Sequence, residues 1–399
     1  MRRRVKRSIL PSPRFLPALV AALSGVAAAS LAACGQEHVT PLGTGGGTTA
    51  SSTTGAGGAT GGGGGQGGQG GTAPAPTRQT IQGDVTWTVT FDAAAKTAGA
   101  TDCAYTRHYE GHEDRSRPWY CPGCVAVFDA KVTMTAGATD CYTQVSMTPA
   151  ATDEWIGYDA QGKWYRGIGP MSEQGTVATQ GATLTTTNQI TMLAAPVGGT
   201  MQFDVAGTLT TATEDGDPMN GFAAAKTYAC GWPKADPPPY SGDYTIKVGA
   251  QVPDGLFKDK CGDVVRLHDL QGTYLVVDMS ARDCGPCQQM ATNEEKFISD
   301  MSAQGIQVQV VTLLAPLLAD PFGPTTQPML KSWTQSYMLT SPVLEDRGWG
   351  LAMFEPLFKD QTGYPSWVVT SPDLKVLATG NGYDQFMAIK TAILADHGP

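Results

Sequence analysis

Along residues 79–240 apolar and polar positions alternate in short runs. Thr86–Phe91, Val125–Met134, Tyr142–Met147 and Met201–Thr208 are rich in β-branched and aromatic residues, and several keep a period of two. Trp155–Tyr158 and Lys163–Ile168 flank Asp159-Ala160-Gln161-Gly162, which reads as a hairpin turn. No long helical period interrupts them, so an all-β domain is predicted, a sandwich or a small barrel. Thr97-Ala98-Gly99-Ala100-Thr101-Asp102-Cys103 recurs as Thr135–Cys141, each copy after a Phe-Asp pair, and predicts two equivalent strand-turn units. Trp232-Pro233-Lys234-Ala235-Asp236-Pro237-Pro238-Pro239 is too stiff for helix or central strand and marks a boundary. Beyond it, in residues 241–399, the period changes from element to element. Short strands at Val264–Leu267 and Tyr274–Met279 precede a helix at Cys287–Met301. A strand at Ile306–Leu313 and a helix at Met329–Tyr337 come next. Strands at Ser366–Thr370 and Val376–Thr379 and a helix at Asp384–Ala395 close the chain. That order is an α/β plan around a central sheet.

The remaining N-terminal part is neither. Arg2, Arg3, Arg4, Lys6 and Arg7 precede the small, apolar run Phe15–Ala33, which ends in Leu31-Ala32-Ala33-Cys34. Cationic, apolar and small-residue regions in that order make residues 1–33 an export signal. The tetrapeptide resembles the bacterial lipobox, which implies cleavage before Cys34 and a lipid on its sulfur. Residues 35–78 hold 17 of the 49 glycines and almost no bulky side chain. They read, with Cys34, as a flexible tether of roughly 35–40 Å reach. The chain has 27 Lys+Arg against 36 Asp+Glu, a net charge of −9. Loss of residues 1–33 removes six cations and no acid, leaving −15. Such a body has no basic patch for nucleic acid, so membrane attachment would rest on the acyl chains.

The chemistry lies in the α/β part. Cys284-Gly285-Pro286-Cys287 follows a strand and opens a helix. A thiol at a helix N-terminus meets unpaired N–H groups and the positive end of the dipole, and both favour the nucleophilic thiolate. Two intervening residues let the second sulfur reach the first. Cys284 is the expected attacker and Cys287, a turn further in, the resolver. A zinc site would want a second pair nearby, and haem attachment would want His where Gln288 stands, so no metal or cofactor is expected.

This region resembles the thioredoxin superfamily, on the run Val276-Val277-Asp278-Met279-Ser280-Ala281-Arg282-Asp283-Cys284-Gly285-Pro286-Cys287 and on Gly363-Tyr364-Pro365-Ser366-Trp367. Cys261–Val265 and Leu270–Gly272 look like the N-terminal hairpin of TlpA-like and redoxin proteins, which are exported thiol-disulfide oxidoreductases. The resemblance covers about residues 245–399. It implies that Asp278 is a buried proton acceptor for Cys287, and that Pro365 is the cis-proline beside the disulfide. Gly285, Pro286 and Tyr364 would dock substrate. Asp283, Ser280 and Met279 depart from the family pattern. Asp283 should oppose the Cys284 thiolate, and Arg282 should offset it. A peroxiredoxin would need a hydroxyl where Ala281 stands and a proline at Val277.

Six further cysteines, Cys103, Cys121, Cys124, Cys141, Cys230 and Cys261, allow fifteen connectivities. The duplicated contexts favour Cys103–Cys141, and the position of Cys230 and Cys261 about the boundary favours a staple there. Cys121-Pro122-Gly123-Cys124 has three readings: a loop clip, a redox relay to Cys284/Cys287, or a metal site with His108, His112, Glu113 and Asp114. The sequence thus predicts an exported, lipid-anchored protein of the bacterial cell envelope, in the periplasm or at the surface. Its thioredoxin-like domain would exchange disulfides with protein partners and with an upstream redox donor or acceptor. The rival readings are a binding lipoprotein whose β domain is the functional part and a thiol peroxidase.

Overall fold

The computed structural model describes residues 75–398, apart from 136–137, 147–150, 168–172, 351 and 354–362. The export signal, Cys34 and nearly all of the tether lie outside the described residues. The tether's last two positions belong elsewhere. Thr77 and Arg78 open the first strand, where Arg78 stands opposite Glu214 and pairs with it at 2.7 Å.

Eight antiparallel strands close into a barrel in chain order. They are β1 (Thr77–Phe91), β2 (Cys103–Glu113), β3 (Cys124–Met134), β4 (Asp153–Asp159), β5 (Lys163–Gly167), β6 (Glu173–Gln180), β7 (Thr183–Ala194) and β8 (Thr200–Asp215). β8 pairs back onto β1, so no edge is left to recruit another chain. The period of two supplies the filling. Val85, Trp87, Val89 and Phe91 point inward from β1, and Tyr105 and Tyr109 from β2. Phe128, Ala130 and Val132 do so from β3. Gly83, at φ 152°, lets β1 and β8 approach, since a Cβ there would lie 2.2 Å from the Thr208 carbonyl oxygen.

Among its described residues the barrel has two short α-helices, α1 (Ala93–Thr97) and α2 (Ala138–Val145). The second overturns the strand expected over Tyr142–Met147. Its Cys141 is bonded to Cys103 and buried in the barrel core, and Tyr142 meets Tyr105 edge-on. Tertiary anchoring decides the conformation of a segment whose β-branched and aromatic residues favour a strand. The two heptapeptides are therefore not equivalent units. Thr97–Cys103 runs from α1 into β2, whereas Thr135–Cys141 runs from the end of β3 into α2. Asp92 caps α1 by accepting the Ala95 N–H at 2.8 Å, while its counterpart Asp129 lies within β3.

Between 216 and 255 the chain runs without a described helix or strand. It is nonetheless fastened to the α/β part. Trp232 Nε1 donates to Asp259 at 2.8 Å, Lys234 pairs with Asp269 at 2.9 Å, and Arg266 donates to the Pro237 and Pro238 carbonyls. Cys230–Cys261 forms the expected staple.

The α/β part opens with a two-stranded sheet, β9 (Leu256–Lys258) with β10 (Val264–Arg266). Its main sheet has the order β13-β12-β11-β14-β15. These strands are β11 (Tyr274–Ala281), β12 (Val308–Ala315), β13 (Val343–Glu345), β14 (Ser366–Thr370) and β15 (Val376–Asn381). The first three run parallel and the last two antiparallel to their neighbours. Its longer described helices are α3 (Gly285–Ser302), α4 (Gln327–Tyr337) and α5 (Met387–His397). β13, three residues long, is too short to show a period and was not expected. Every residue of the central β11 is buried, as a strand covered on both faces requires. Val276 packs with Met290, Phe297 and Ile389 on the helical side. Leu275, Val277 and Met279 face a second layer, to which the barrel contributes Trp119, Tyr120, Trp155 and Tyr165. This mixed α/β region is joined to the barrel through common apolar contacts. Trp119 stacks on Phe257 at 5.8 Å and its Nε1 donates to the Arg347 carbonyl, and Arg347 in turn donates to Ser116. No described helix is long and apolar enough to cross a membrane.

Candidate active site

β11 ends at Ala281, and the chain turns into α3 within three residues. The turn is held by the Cys284 N–H donating to Ala281 O at 3.2 Å and by Gln288 Nε2 donating to Arg282 O at 3.0 Å. Cys284 is the N-cap of α3, in extended conformation, and its sulfur accepts the Cys287 N–H at 3.2 Å. A cap sulfur that receives an otherwise unpaired N–H is placed where negative charge is favoured. Pro286, within the first turn, has no N–H to leave unsatisfied there. Cys284 and Cys287 form a disulfide with Cα atoms 5.3 Å apart. Gly285 and Pro286 are exposed, Cys284 is 3% exposed and Cys287 is fully buried.

The other expected residues converge on this end of the sheet. The Tyr364–Pro365 bond is cis, and Pro365 is buried. The next residue, Ser366, pairs with Met279 of β11, which brings the Pro365 loop beside the last turn of that strand. Tyr364 packs against the apolar cluster that contains both sulfurs. Its hydroxyl is buried without a hydrogen-bond partner, and burial, then the Asp346 and Asp283 charges, push its phenol far up. Asp278 is buried on β11. Its Oδ2 accepts the Ser280 hydroxyl at 2.7 Å and its Oδ1 has no partner. Burial pushes this carboxyl up to about 7. Asp283 is exposed and accepts the Leu318 N–H at 2.7 Å, so one of its oxygens is turned to the 316–325 loop. Ala281 and Val277 are buried strand residues.

The second CxxC also forms a disulfide, Cys121–Cys124, directly before β3 and not at a helix start. The groups proposed to join it in a metal site have other partners. His108 Nδ1 lies 2.8 Å from Asp84, His112 Nδ1 lies 2.8 Å from Glu214, and Glu113 pairs with Arg115 and Asp114 with Arg117.

Among the acids that the sequence did not single out, Glu294 and Asp346 are buried with their carboxyls pushed up. Glu294, on α3, is pushed up to about 8 by burial, with the charge of Asp278 adding to the effect. Asp346 is pushed up to about 6 by burial, against the Gly350 N–H that its Oδ1 accepts. Glu294 was within reach of periodicity, because it stands seven residues after Cys287 and so on the same helix face. Asp346 comes directly after the three-residue β13 and carries no such signal.

No family model matches the chain, and no curated protein does. Among solved structures, the chain is similar to a Chlorobium tepidum protein assigned as the thiol:disulfide interchange protein DsbE. Identity there is 24% over 38% of this chain and 99% of that one, with a TM-score of 0.31. A thioredoxin-family thiol:disulfide interchange protein from the same organism is 15% identical over 38% and 99%, with a TM-score of 0.30. The thioredoxin domain of a thiol-disulfide oxidoreductase from Bacteroides vulgatus is 15% identical over 37% and 99%, with a TM-score of 0.30.

Proposed function

We propose that this protein is an exported, lipid-anchored thiol-disulfide oxidoreductase of the bacterial cell envelope, acting on protein disulfides through Cys284 and Cys287. The observation that carries the reading is the Cys284 sulfur at the N-cap of α3, bonded to a buried Cys287 and accepting its N–H. In the reduced protein the Cys284 thiolate attacks a substrate disulfide, forms a mixed disulfide and expels one substrate thiolate. Cys287 then attacks Cys284, releases the second substrate thiol and leaves the protein oxidised by two electrons. An upstream dithiol or disulfide resets the pair. Leu317 and Leu318, both exposed, stand on the loop tied to Asp283 and offer apolar surface to an incoming chain beside Gly285, Pro286 and Tyr364. A peroxidase is less well supported, because Ala281 brings no hydroxyl to the cysteine.

Insulin reduction by the full chain tests the reading. The parent should catalyse it, Cys284→Ser should not, and Cys287→Ser should accumulate mixed disulfides that Cys284→Ser lacks. A parent without reductase activity would leave the barrel as the functional part. The anchor is tested separately: Cys34→Ser should lose a metabolically incorporated fatty-acid label, and retained label would remove the lipobox from the argument.

A further inference from the structure

The inward face of α3 is Cys287, Met290, Ala291, Glu294, Phe297 and Met301. All but one suit a dry layer. Glu294 is a carboxyl and only 1% exposed. β11 runs toward the cysteines at about 3.3 Å per residue and α3 returns at about 1.5 Å per residue. Asp278, three residues from the strand end, therefore lies about 10 Å deep, a level that α3 crosses between Cys287 and Glu294.

The groups facing this layer are few. β11 contributes Asp278 and Ser280, β12 contributes Thr312 beside Asp278, and α3 contributes Cys287 and Glu294. The segment before β13 contributes Ser341, whose hydroxyl donates to Glu294. Glu295 is turned outward, where it accepts from Thr340. No cation is among the groups acting on either buried acid. Two carboxyls in one apolar layer without a cation cannot both ionise easily, and they titrate as a pair. Their midpoints, about 7 and about 8, leave the pair with a single negative charge near neutrality.

We propose that Glu294 is the proton outlet of the exchange reaction: when Asp278 takes the proton of the Cys287 thiol, Glu294 releases its own through Ser341 to the surface at Thr340, so that the layer keeps one negative charge. This rests on the thiol-disulfide reading above. In the mixed disulfide the Cys287 S–H bond breaks and its proton passes to the Asp278 carboxylate. The Cys287 thiolate attacks Cys284, the Cys284–substrate bond breaks, and the substrate leaves as a thiolate that is protonated by water. Burial is the main reason that Glu294 holds its proton, and the Asp278 charge adds to it; with Asp278 neutral that addition is gone, and Glu294 releases its proton more readily. It is a positioning residue, acting on the sulfur only through Asp278.

Infrared titration of carboxyl C=O bands in the oxidised full chain tests the coupling without turnover. The parent should show the Asp278 and Glu294 carboxyls titrating in sequence above the buried Asp346 carboxyl, which is pushed up to about 6. Asp278→Asn should move the Glu294 midpoint down by about one pH unit, a tenfold change in its ionised fraction at a fixed pH below that midpoint. Glu294→Gln should remove the uppermost of these titrations and leave the Asp278 and Asp346 bands. In single-turnover reduction of a disulfide substrate, Glu294→Gln should turn a two-step pH profile of the resolving step into one step, with the first attack unchanged, and Glu294→Asp should restore two. An unmoved Glu294 band in Asp278→Asn, or an unchanged profile in a Glu294→Gln protein that has merely lost thermal stability, would overturn the proposal. A protein that shows the coupled bands but reduces no disulfide would sink the functional reading and leave the paired titration standing.

Discussion

Asp278 carries a cost that fixes its pH behaviour. Its carboxyl titrates at about 7 in the folded protein against an ordinary value of 3.8, because burial disfavours the charge. The folded state therefore holds a proton that the unfolded state has lost between about pH 4 and 7. Stability from this group is full below the ordinary value and falls as pH rises through that window, by about 1.4 kcal/mol for each pH unit separating the two titrations. Asp278→Asn should match the parent's melting temperature near pH 4 and exceed it at pH 8. The same variant should slow the resolving step more than the first attack, most clearly near neutral pH. Stopped-flow rates equal to the parent's would assign Asp278 to structure alone. At this scale the sequence was informative where the residue type is itself the chemistry. Cys284, Cys287, Asp278 and Pro365 are brought to one end of the sheet by β11 and β14. Asp283 was readable as a charge beside Cys284, but its bond to the Leu318 N–H depends on a loop whose course no local pattern encodes.

Elements were legible in proportion to their length and to how far local pattern decides them. β11, β12 and α3 are long, their periods agree with their surroundings, and their observed bounds differ from the expected ones by at most two residues. α2 failed because Cys141 and the barrel end hold it, and the three residues of β13 had no period to show. Closure of the barrel was not decidable from strands alone, since the same alternation fills a sandwich. The Cys103–Cys141 bond is where this dependence can be tested. It closes a separation of 38 residues, so losing it should cost up to about 4 kcal/mol of stability through the freedom returned to the unfolded chain. Cys103→Ala/Cys141→Ala should lower the denaturation midpoint and expose the amides of α2 to faster hydrogen exchange, while disulfide exchange at Cys284 is kept. Unchanged exchange in α2 would mean that Tyr142 against Tyr105 holds the helix without the bond.

Over the whole molecule the question is whether residues 79–240 and 241–399 fold as two bodies. The sequence places a boundary at Trp232–Pro239, and strand order changes character on either side of it. The packing argues for mutual dependence, since residues 75–398 lie in one compact unit and one apolar cluster runs from Trp119, Tyr120, Trp155 and Tyr165 of the barrel into Phe257, Val277, Met279 and Trp349. Four large aromatic side chains leaving such a layer would uncover an apolar face beyond what a soluble surface ordinarily presents. The polar contacts do not offset this, because Arg347 is largely buried beside Trp119 and its guanidinium would lose Ser116 and Asp114 together. We therefore propose that the two parts unfold together, and that the barrel covers the face of the α/β sheet opposite α3. The 241–399 segment alone should bind a hydrophobic dye and melt well below residues 75–399. The longer chain should give one calorimetric transition whose van't Hoff and calorimetric enthalpies agree. Trp119→Ala, which removes the stack on Phe257 and the bond to Arg347, should cost roughly 3–5 kcal/mol and lower that single transition. Two separate transitions in the parent, with Trp119→Ala moving only the one assigned to the barrel, would show instead that the domains are independent and that the common layer is contact without cooperativity.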